Sequence, residues 1–328
     1  MSAKSKTSDS AQDHKGTISL RDRLAAWWEG TELLDVPAGS VSAAASAAGS
    51  DAAEEEGPIR YVPPKQRWET SRLSLVQKVW GEGFTTPGGR KHTLDMVTSF
   101  GLDPAMSVLD LGTGLGGAAR AMCEKFGVWV TGLEADMDLV EAGMALSVKA
   151  GMSEKAQVLA FDPATFEHKQ GSVDCVFSKE FLFAVADKNK FLKAVADLLK
   201  PKGQFMFTDF MLSEPHLRTP AIKNWIENEP LTPHPWALED YEVGLVSARL
   251  NIRVTEDITK VFRAMVIKGW ANYTDNAEPG SVGLDTAPAL VDEVELWTRR
   301  IQAIDSGDLK VYRIHAFKKE PGLGMSHR

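Results

Sequence analysis

VLDLGTGLGGAARAMCEKFGVWVTGLEAD, residues 108–136, is the stretch of sequence that decides the fold class. It opens with an apolar run that ends at closely spaced glycines, continues through an amphipathic segment, and closes with a second apolar run that ends in an acid. Short apolar runs separated by a helical pattern are typical of buried parallel strands joined by a crossover helix. The stretch therefore predicts a β-α-β unit with a glycine-rich turn after its first strand.

The same alternation of apolar runs and helical patterns continues along the chain and predicts an α/β fold with a doubly wound, mostly parallel, seven-stranded sheet. The strand candidates are SVLDLG (107–112), WVTGLEA (129–135), AQVLAFD (156–162), VDCVFSK (173–179), GQFMFTDF (203–210), NIRVTEDI (251–258) and VYRIHAFKK (311–319). A helix is predicted to run up to the Pro201-Lys202-Gly203 turn, and residues 259–306 are predicted to form a long helical region.

The N-terminal part differs in composition from the rest. Residues 1–16 are polar and predict a disordered tail, and residues 17–35 contain a short amphipathic helix that we expect to pack on the main domain. Peripheral membrane contact through residues 17–29 is the less favoured alternative, because basic residues there are few. Residues 36–59 are rich in Ala, Ser and acids and predict a flexible linker. The main domain is expected to span residues 60–328.

Composition restricts the classes of function. The 328 residues carry a formal net charge of -8, which argues against nucleic acid as a partner. No apolar stretch is long enough to span a bilayer, and the N-terminus lacks the apolar core of a secretory signal, so a cytoplasmic protein is expected. Cys123 and Cys175 fall inside predicted elements as small core residues, and the 7 His lack ligand spacing, so no metal is predicted.

The glycines and the acid predict a ligand site. Gly112, Gly114 and Gly116 follow the first strand, where their backbone can turn sharply and approach a ligand, and the next helix offers free N–H groups. Glu134 ends the second strand, where a carboxylate can accept hydrogen bonds from two ribose hydroxyls. Two interpretations compete: a dinucleotide clamp for hydride transfer, and a nucleoside site for S-adenosylmethionine.

The motif Asp110-Leu111-Gly112-Thr113-Gly114-Leu115-Gly116 favours the second interpretation. With Val108 and Leu109 before it, it resembles the V-L-D-x-G-x-G-x-G motif of class I S-adenosylmethionine-dependent methyltransferases, and the resemblance covers most of residues 80–212. It implies their Rossmann-like fold and S-adenosylmethionine as cofactor. The cofactor-binding residues that it implies are Asp110, Gly112, Thr113, Gly114, Gly116, Glu134, Ala135, Asp162, Pro163 and Ser178, with Asp162 beside the adenine amino group.

Within this class the chain most resembles small-amine N-methyltransferases of the phosphoethanolamine and glycine/sarcosine type. The segment VWGEGFTTPGG (79–89) matches their V-F-G-x-x-Y-x-S-S-G-G segment, but their tyrosine falls on Phe84 and a later histidine falls on Ala184. The resemblance thus implies a small-molecule acceptor, most simply an amine, in a rather apolar pocket. The predicted pocket residues are Trp80, Phe84, Thr85 and Phe181.

The proton acceptor is less determined by the sequence. Glu180 is the first candidate base because it follows the fourth strand, and His92 and His216 are the alternatives. Residues 211–240 are a candidate lid over the acceptor, with a plain surface insertion as the competing interpretation. A second class of function stays open: a catalytically silent methyltransferase-like domain that binds cofactor or a partner and acts as a regulator or assembly factor.

Overall fold

The structure is a computed structural model, and it describes residues 68–276 and 286–319. The tail, helix and linker predicted over residues 1–59 lie outside this described part. The helices are α1 (Thr70–Trp80), α2 (Gly89–Val97), α3 (Gly117–Phe126), α4 (Met137–Lys149), α5 (Lys188–Leu198), α6 (Pro220–Asn228), α7 (Leu238–Ser247), α8 (Thr259–Asp275) and α9 (Ala287–Asp305). The strands are β1 (Ser107–Leu111), β2 (Trp129–Glu134), β3 (Ala156–Ala160), β4 (Val173–Lys179), β5 (Leu199–Leu212), β6 (Leu250–Asp257) and β7 (Leu309–Lys318).

The strands form one 7-stranded sheet in the order β3-β2-β1-β4-β5-β7-β6. The strands from β3 across to β5 are parallel to their neighbours, and β7 runs antiparallel between β5 and β6. The predicted doubly wound, mostly parallel sheet is therefore confirmed. The chain leaves β1 toward β2 and β3 and then crosses to β4 on the other side of β1. Ligands bind at such a switch point, at the carboxyl ends of the strands.

Local sequence signals fix where several helices begin. The Asp136 carboxylate accepts a hydrogen bond from the backbone N–H of Asp138 at the start of α4. Asp187 caps α5 in the same way through the N–H of Lys190. Each cap satisfies an N–H group that has no partner inside the helix. Through these caps, α4 and α5 begin just beyond the carboxyl edge, so the loops before them lie beside the switch point.

The chain enters β5 earlier than the sequence predicts. The helix α5 ends at Leu198, and the strand begins at Leu199, which pairs with Val173 before the register shifts. The Pro201-Lys202-Gly203 turn signal thus lies inside an irregular strand, and Lys202 adopts a left-handed φ of 65° there. Leu199 is fully buried, so packing of this side chain outweighs the local helix pattern.

A large apolar core fills the space between the sheet and α5 and α7, with Phe191, Phe207 and Tyr241 among its buried members.

The region predicted as one long helical stretch contains two helices, α8 and α9. Across residues 68–276 and 286–319, no helix has the length and apolar character needed to cross a membrane.

Candidate active site

A cavity opens at the carboxyl ends of β1, β2 and β4. It extends from the glycine-rich turn after β1 to the helices α1 and α9 on the far side. Its lining residues are Trp68, Arg72, Thr85, Thr86, Gly112, Gly114, Glu134, Ala135, Asp136, Leu139, Lys179, Glu180, Phe181, Phe183, Glu229, Pro230, Leu231, Glu293, Leu296, Trp297 and Arg300. The predicted glycine turn, the predicted ribose acid and the predicted base therefore line one space.

The turn after β1 requires glycine at two positions. Gly112 has a φ of +69°, and a Cβ there would lie 2.5 Å from the Phe181 ring. Gly114 has a φ of +56°, and a Cβ there would lie 2.7 Å from Thr85 Oγ1. Side chains rarely adopt this left-handed conformation, and here they would also collide with neighbours. The backbone of the turn can therefore come close to a ligand in the cavity.

Glu134 at the end of β2 is buried beside this turn. Its carboxylate accepts hydrogen bonds from the backbone N–H groups of Gly114 and Ala135, both at 2.8 Å, and of Asp136 at 3.1 Å. Burial raises the pKa of Glu134, and the three N–H groups oppose that rise. A carboxylate has more acceptor positions than these three donors occupy, so it can also accept hydrogen bonds from ligand hydroxyls.

Asp110 and Ser178 support the turn from beneath. Thr113 Oγ1 donates a 2.6 Å hydrogen bond to the buried Asp110 carboxyl, whose pKa burial raises to about 7. Ser178 Oγ donates a 2.9 Å hydrogen bond to the carbonyl of Leu111, which joins the ends of β1 and β4. Neither Asp110 nor Ser178 lines the cavity, so their contacts there are with the backbone of the turn and of the strand ends.

Asp162 and Pro163 follow β3 and lie outside the cavity lining. Asp162 is exposed, and its carboxylate accepts hydrogen bonds from the N–H of Ala164 at 2.9 Å and from Thr165 Oγ1 at 3.1 Å. The side chain thus begins a turn at the sheet edge. Asp162 lies on the same edge as Glu134, because β3 pairs with β2 in parallel.

Glu180 lies just past β4 with an unusual backbone conformation. Its φ is 45°, which for a residue with a side chain carries strain. Thr208 of β5 holds it through two hydrogen bonds, from the Glu180 N–H to the Thr208 carbonyl at 2.8 Å and from Thr208 Oγ1 to Glu180 Oε1 at 2.6 Å. The other oxygen, Oε2, is buried without a hydrogen-bond partner. An unsatisfied buried carboxylate oxygen in a cavity is a hydrogen-bond acceptor available to a ligand.

Lys179 connects Glu180 to the loop between α1 and α2. Its Nζ lies 4.0 Å from Glu180 Oε2 and donates to the Pro87 carbonyl at 2.9 Å and to Thr86 Oγ1 at 3.3 Å. Lys179 is not a predicted site residue, although it adjoins the predicted base at the end of a strand. The ammonium group places a positive charge near Glu180 and fastens the loop that carries Thr85 over the glycine turn.

Two buried ion pairs form the far wall of the cavity. Arg72 of α1 contacts Glu293 of α9 at 2.5 Å, and Arg300 of α9 contacts Glu229 at 2.5 Å. Arg300 also lies over the ring of Trp297, with its Cζ 4.7 Å from the ring centroid. No sequence pattern singles out these residues, although Glu229 lies in the predicted segment 211–240. The partners are 221 and 71 positions apart in the chain, so no local pattern could have paired them.

Ten predicted site residues are not among the residues that line the cavity: Asp110, Thr113, Gly116, Asp162, Pro163, Ser178, Trp80, Phe84, His92 and His216. Trp80 is buried against Trp297 and Trp270, and Phe84 is buried within the α1–α2 loop. Trp80 and Phe84 show that an aromatic side chain near a predicted site can equally fill the adjoining core.

The histidines differ in their surroundings. His216 is exposed in the segment between β5 and α6, with a φ of 61°. His92 is half-buried on α2, and burial, together with the positive charge of Lys179, lowers its pKa to about 4. The His92 imidazole is therefore neutral at pH 7. Neither histidine is among the residues that line the cavity.

Comparison with known proteins agrees with this geometry. A family model described as a methyltransferase domain matches residues 102–246. Phosphoethanolamine N-methyltransferase 1 of Arabidopsis thaliana is 26% identical over 196 residues, which are 60% of this chain and 39% of that protein. Glycine/sarcosine/dimethylglycine N-methyltransferase of Actinopolyspora halophila is 28% identical over 113 residues, 34% of this chain and 20% of that protein.

The fold is also shared with a solved structure. Phosphoethanolamine N-methyltransferase 2 of Haemonchus contortus, in complex with S-adenosyl-L-methionine, superposes with a TM-score of 0.69 at 21% identity, over 76% of this chain and 57% of that one. The chain spans between 39% and 50% of the length of the plant phosphoethanolamine methyltransferases that it matches. On the family match, the strand order and the glycine turn, this chain contains a class I S-adenosylmethionine-dependent methyltransferase domain that is distantly related to the phosphoethanolamine and glycine/sarcosine N-methyltransferases.

Proposed function

We propose that this protein transfers a methyl group from S-adenosylmethionine to a small-molecule amine bound in the cavity. The observation that carries the proposal is the single space shared by the Gly112–Gly114 turn, the Glu134 carboxylate and the unpartnered Oε2 of Glu180. The first two features suit a nucleoside with an amino-acid tail, and the third suits a hydrogen-bond donor. Methyl transfer requires the donor and the amine acceptor to be held side by side, and these three features line the same cavity.

The residues fit the proposed cofactor. Gly112 and Gly114 present their backbone to the cavity without a side chain, and Glu134 offers a buried carboxylate for the ribose hydroxyls. Ala135 lines the same end of the cavity. Asp162 and Pro163 stay in the proposal as the adenine side, because β3 ends at the same sheet edge. The bound cofactor supplies a methyl group that its sulfonium already activates.

Glu180 performs the acid–base role in this proposal. An amine attacks only when it is neutral, so its N–H must donate to, and finally lose its proton to, a nearby base. The free oxygen Oε2 can accept that proton, while Thr208 fixes Oε1 and thus the direction of the carboxylate. The Lys179 ammonium lies 4.0 Å from Glu180 Oε2. Thr85 and Phe181 cover the glycine turn and exclude water from it.

The segment 211–240 closes one side of the cavity in this proposal. Glu229, Pro230 and Leu231 line the cavity. The segment is fastened farther along, where the His234 N–H donates to the Phe183 carbonyl at 2.6 Å and the buried Lys188 ammonium donates to the His234 carbonyl. These anchors, together with the Arg300–Glu229 ion pair, favour a fixed cover over this side of the cavity.

The experiment is methyl transfer with labelled S-adenosylmethionine and a mixture of small amines and metabolite extract. We expect a labelled small molecule with the wild type and loss of that product with Glu180→Gln. Tight binding of S-adenosylmethionine with no transfer to any component would favour the alternative function, a silent domain that binds cofactor. Absence of S-adenosylmethionine binding would refute both.

A further inference from the structure

The positively charged side chains that line the cavity already form ion pairs within the protein. The lining cations on the acceptor side are Arg72, Lys179 and Arg300, and each has a carboxylate within 4.0 Å. Glu293 accepts from Arg72 through one oxygen and from the indole N–H of Trp297, at 3.1 Å, through the other. Lys179 adds hydrogen bonds to the α1–α2 loop. The acceptor side thus offers no guanidinium or ammonium group that lacks a partner in the described chain.

Arg300 and Glu229 form a bidentate ion pair. Two parallel hydrogen bonds join the guanidinium and the carboxylate, with Arg300 Nε 3.0 Å from Glu229 Oε2 and Arg300 Nη2 2.5 Å from Glu229 Oε1. The indole N–H of Trp225 donates to the same carboxylate at 2.9 Å. Both side chains are buried. Separating a buried pair leaves an uncompensated charge, so a ligand anion would have to displace Glu229 at large cost.

Apart from these charged groups and the hydroxyl groups of Thr85 and Thr86, the acceptor side is largely apolar. Phe183, Leu231, Leu296 and Trp297 contribute to the wall opposite the glycine turn. Among the described lining side chains, the buried polar atom that lacks a hydrogen-bond partner is Glu180 Oε2, which is a hydrogen-bond acceptor. A ligand that complements this surface has an amine at one end and an apolar body at the other.

We propose that the methyl acceptor is an amine on an apolar or aromatic body that carries no phosphate group. The proposal rests on the proposed function and narrows its substrate class. The amine binds at Glu180, and the apolar body packs against Leu231, Leu296 and Trp297. A phosphate ester is excluded because Arg72 and Arg300 are held by Glu293 and Glu229.

The test begins with calorimetric titration of S-adenosylmethionine, because failure of this step would refute the proposed function and not the narrower inference. Protein saturated with S-adenosylhomocysteine is then titrated with phenethylamine, hexylamine, ethanolamine, phosphoethanolamine and inorganic phosphate. We expect the two apolar amines to bind about tenfold or more tighter than ethanolamine, since each buried methylene adds affinity. Phosphoethanolamine and inorganic phosphate are expected to show no binding at millimolar concentration. The order of kcat/KM for the amines is expected to follow the order of binding.

Glu229→Gln tests the charge argument, because it removes the counter-ion of Arg300. The variant is expected to gain measurable binding of inorganic phosphate and phosphoethanolamine. Glu227→Gln, an exposed change on α6 two residues before Glu229, should behave as the wild type. If circular dichroism shows that Glu229→Gln is unfolded, the titrations of the wild type with the amines and phosphate compounds test the inference by themselves. Preference of the wild type for phosphoethanolamine, or failure of every apolar amine to bind to protein that binds S-adenosylmethionine, would overturn the inference.

Discussion

Replacing Glu134 with glutamine changes one buried oxygen into an amino group and leaves the size of the side chain unchanged. The carboxylate accepts hydrogen bonds from the backbone N–H groups of Gly114, Ala135 and Asp136. An amide has one acceptor oxygen, so its amino group would meet at least one of these N–H donors. The same loss applies to a ribose, whose two hydroxyls would find one acceptor oxygen where the wild type has two.

The size of the effect follows from the lost hydrogen bond. A hydrogen bond to a charged acceptor contributes about 1.5–3 kcal/mol. Loss of one of two such bonds should therefore raise the Kd for S-adenosylmethionine roughly ten- to 150-fold. S-adenosylhomocysteine has the same ribose, so its affinity should fall by the same factor. Because burial raises the pKa of Glu134, acidification should weaken wild-type binding before an exposed glutamate would protonate, and Glu134→Gln should lack this pH dependence.

The assay is isothermal calorimetry with S-adenosylmethionine, S-adenosylhomocysteine and a nicotinamide dinucleotide. Glu141→Gln is the matched control, since it makes the same change at an exposed position on α4, the helix that follows β2. Thermal unfolding followed by circular dichroism verifies that each variant is folded. A folded Glu134→Gln protein with wild-type affinity would refute the assignment of Glu134. A dinucleotide that binds the wild type as tightly as S-adenosylmethionine would favour the dinucleotide clamp.

Three further changes test other parts of the site. Glu180→Gln should lower the methylation rate by roughly a hundredfold or more, measured with the identified acceptor, and leave S-adenosylmethionine affinity unchanged. Gly114→Ala should weaken S-adenosylmethionine in calorimetry because its Cβ would lie 2.7 Å from Thr85 Oγ1, whereas Gly101→Ala, with a similar φ and no atom within 4 Å, should carry only the left-handed backbone cost of about 1–2 kcal/mol. Burial raises the pKa of Asp110 to about 7 from 3.8, so the folded state keeps a proton that the unfolded state releases, and this group's contribution to the free energy of unfolding falls as the pH rises from about 4 to about 7. Asp110→Asn should remove that part of the pH dependence in denaturant titrations at pH 5 and pH 8.

Each of these expectations has a result that opposes it. Wild-type turnover by Glu180→Gln would reduce Glu180 to a residue at the start of a turn. Equal loss of cofactor affinity in Gly114→Ala and Gly101→Ala would show that backbone strain, and not the site, causes the effect. An unchanged pH profile in Asp110→Asn would mean that Asp110 is ionised throughout the folded range.

The sequence predicts most of the sheet because its signals are local. Apolar runs mark all 7 strands, and the position of Glu134 at a strand end follows from the length of the run before it. Glu180 is placed at the cavity for the same reason. The start of β5 is not predictable in this way, since the pairing of Leu199 with Val173 depends on packing between distant segments.

The far wall of the cavity is beyond local sequence signals. Arg72 and Glu293 meet because α1 and α9 pack together, and the pattern of neither helix indicates the other. Trp80 illustrates the converse difficulty. Its position beside the site is predicted, but its indole fits against Trp297 in the core, and hydrophobicity alone does not distinguish a pocket wall from a core.

The most direct measurement is a crystal structure of the full chain with S-adenosylhomocysteine and an apolar amine. We expect the ribose hydroxyls on the Glu134 carboxylate, the amino-acid end beside Gly114, and the amine nitrogen within hydrogen-bond distance of Glu180 Oε2. A nucleoside bound away from Glu134, or an amine that contacts Glu229 or Glu293 and leaves Glu180 Oε2 without a partner, would contradict the assignment of this cavity as the site of methyl transfer.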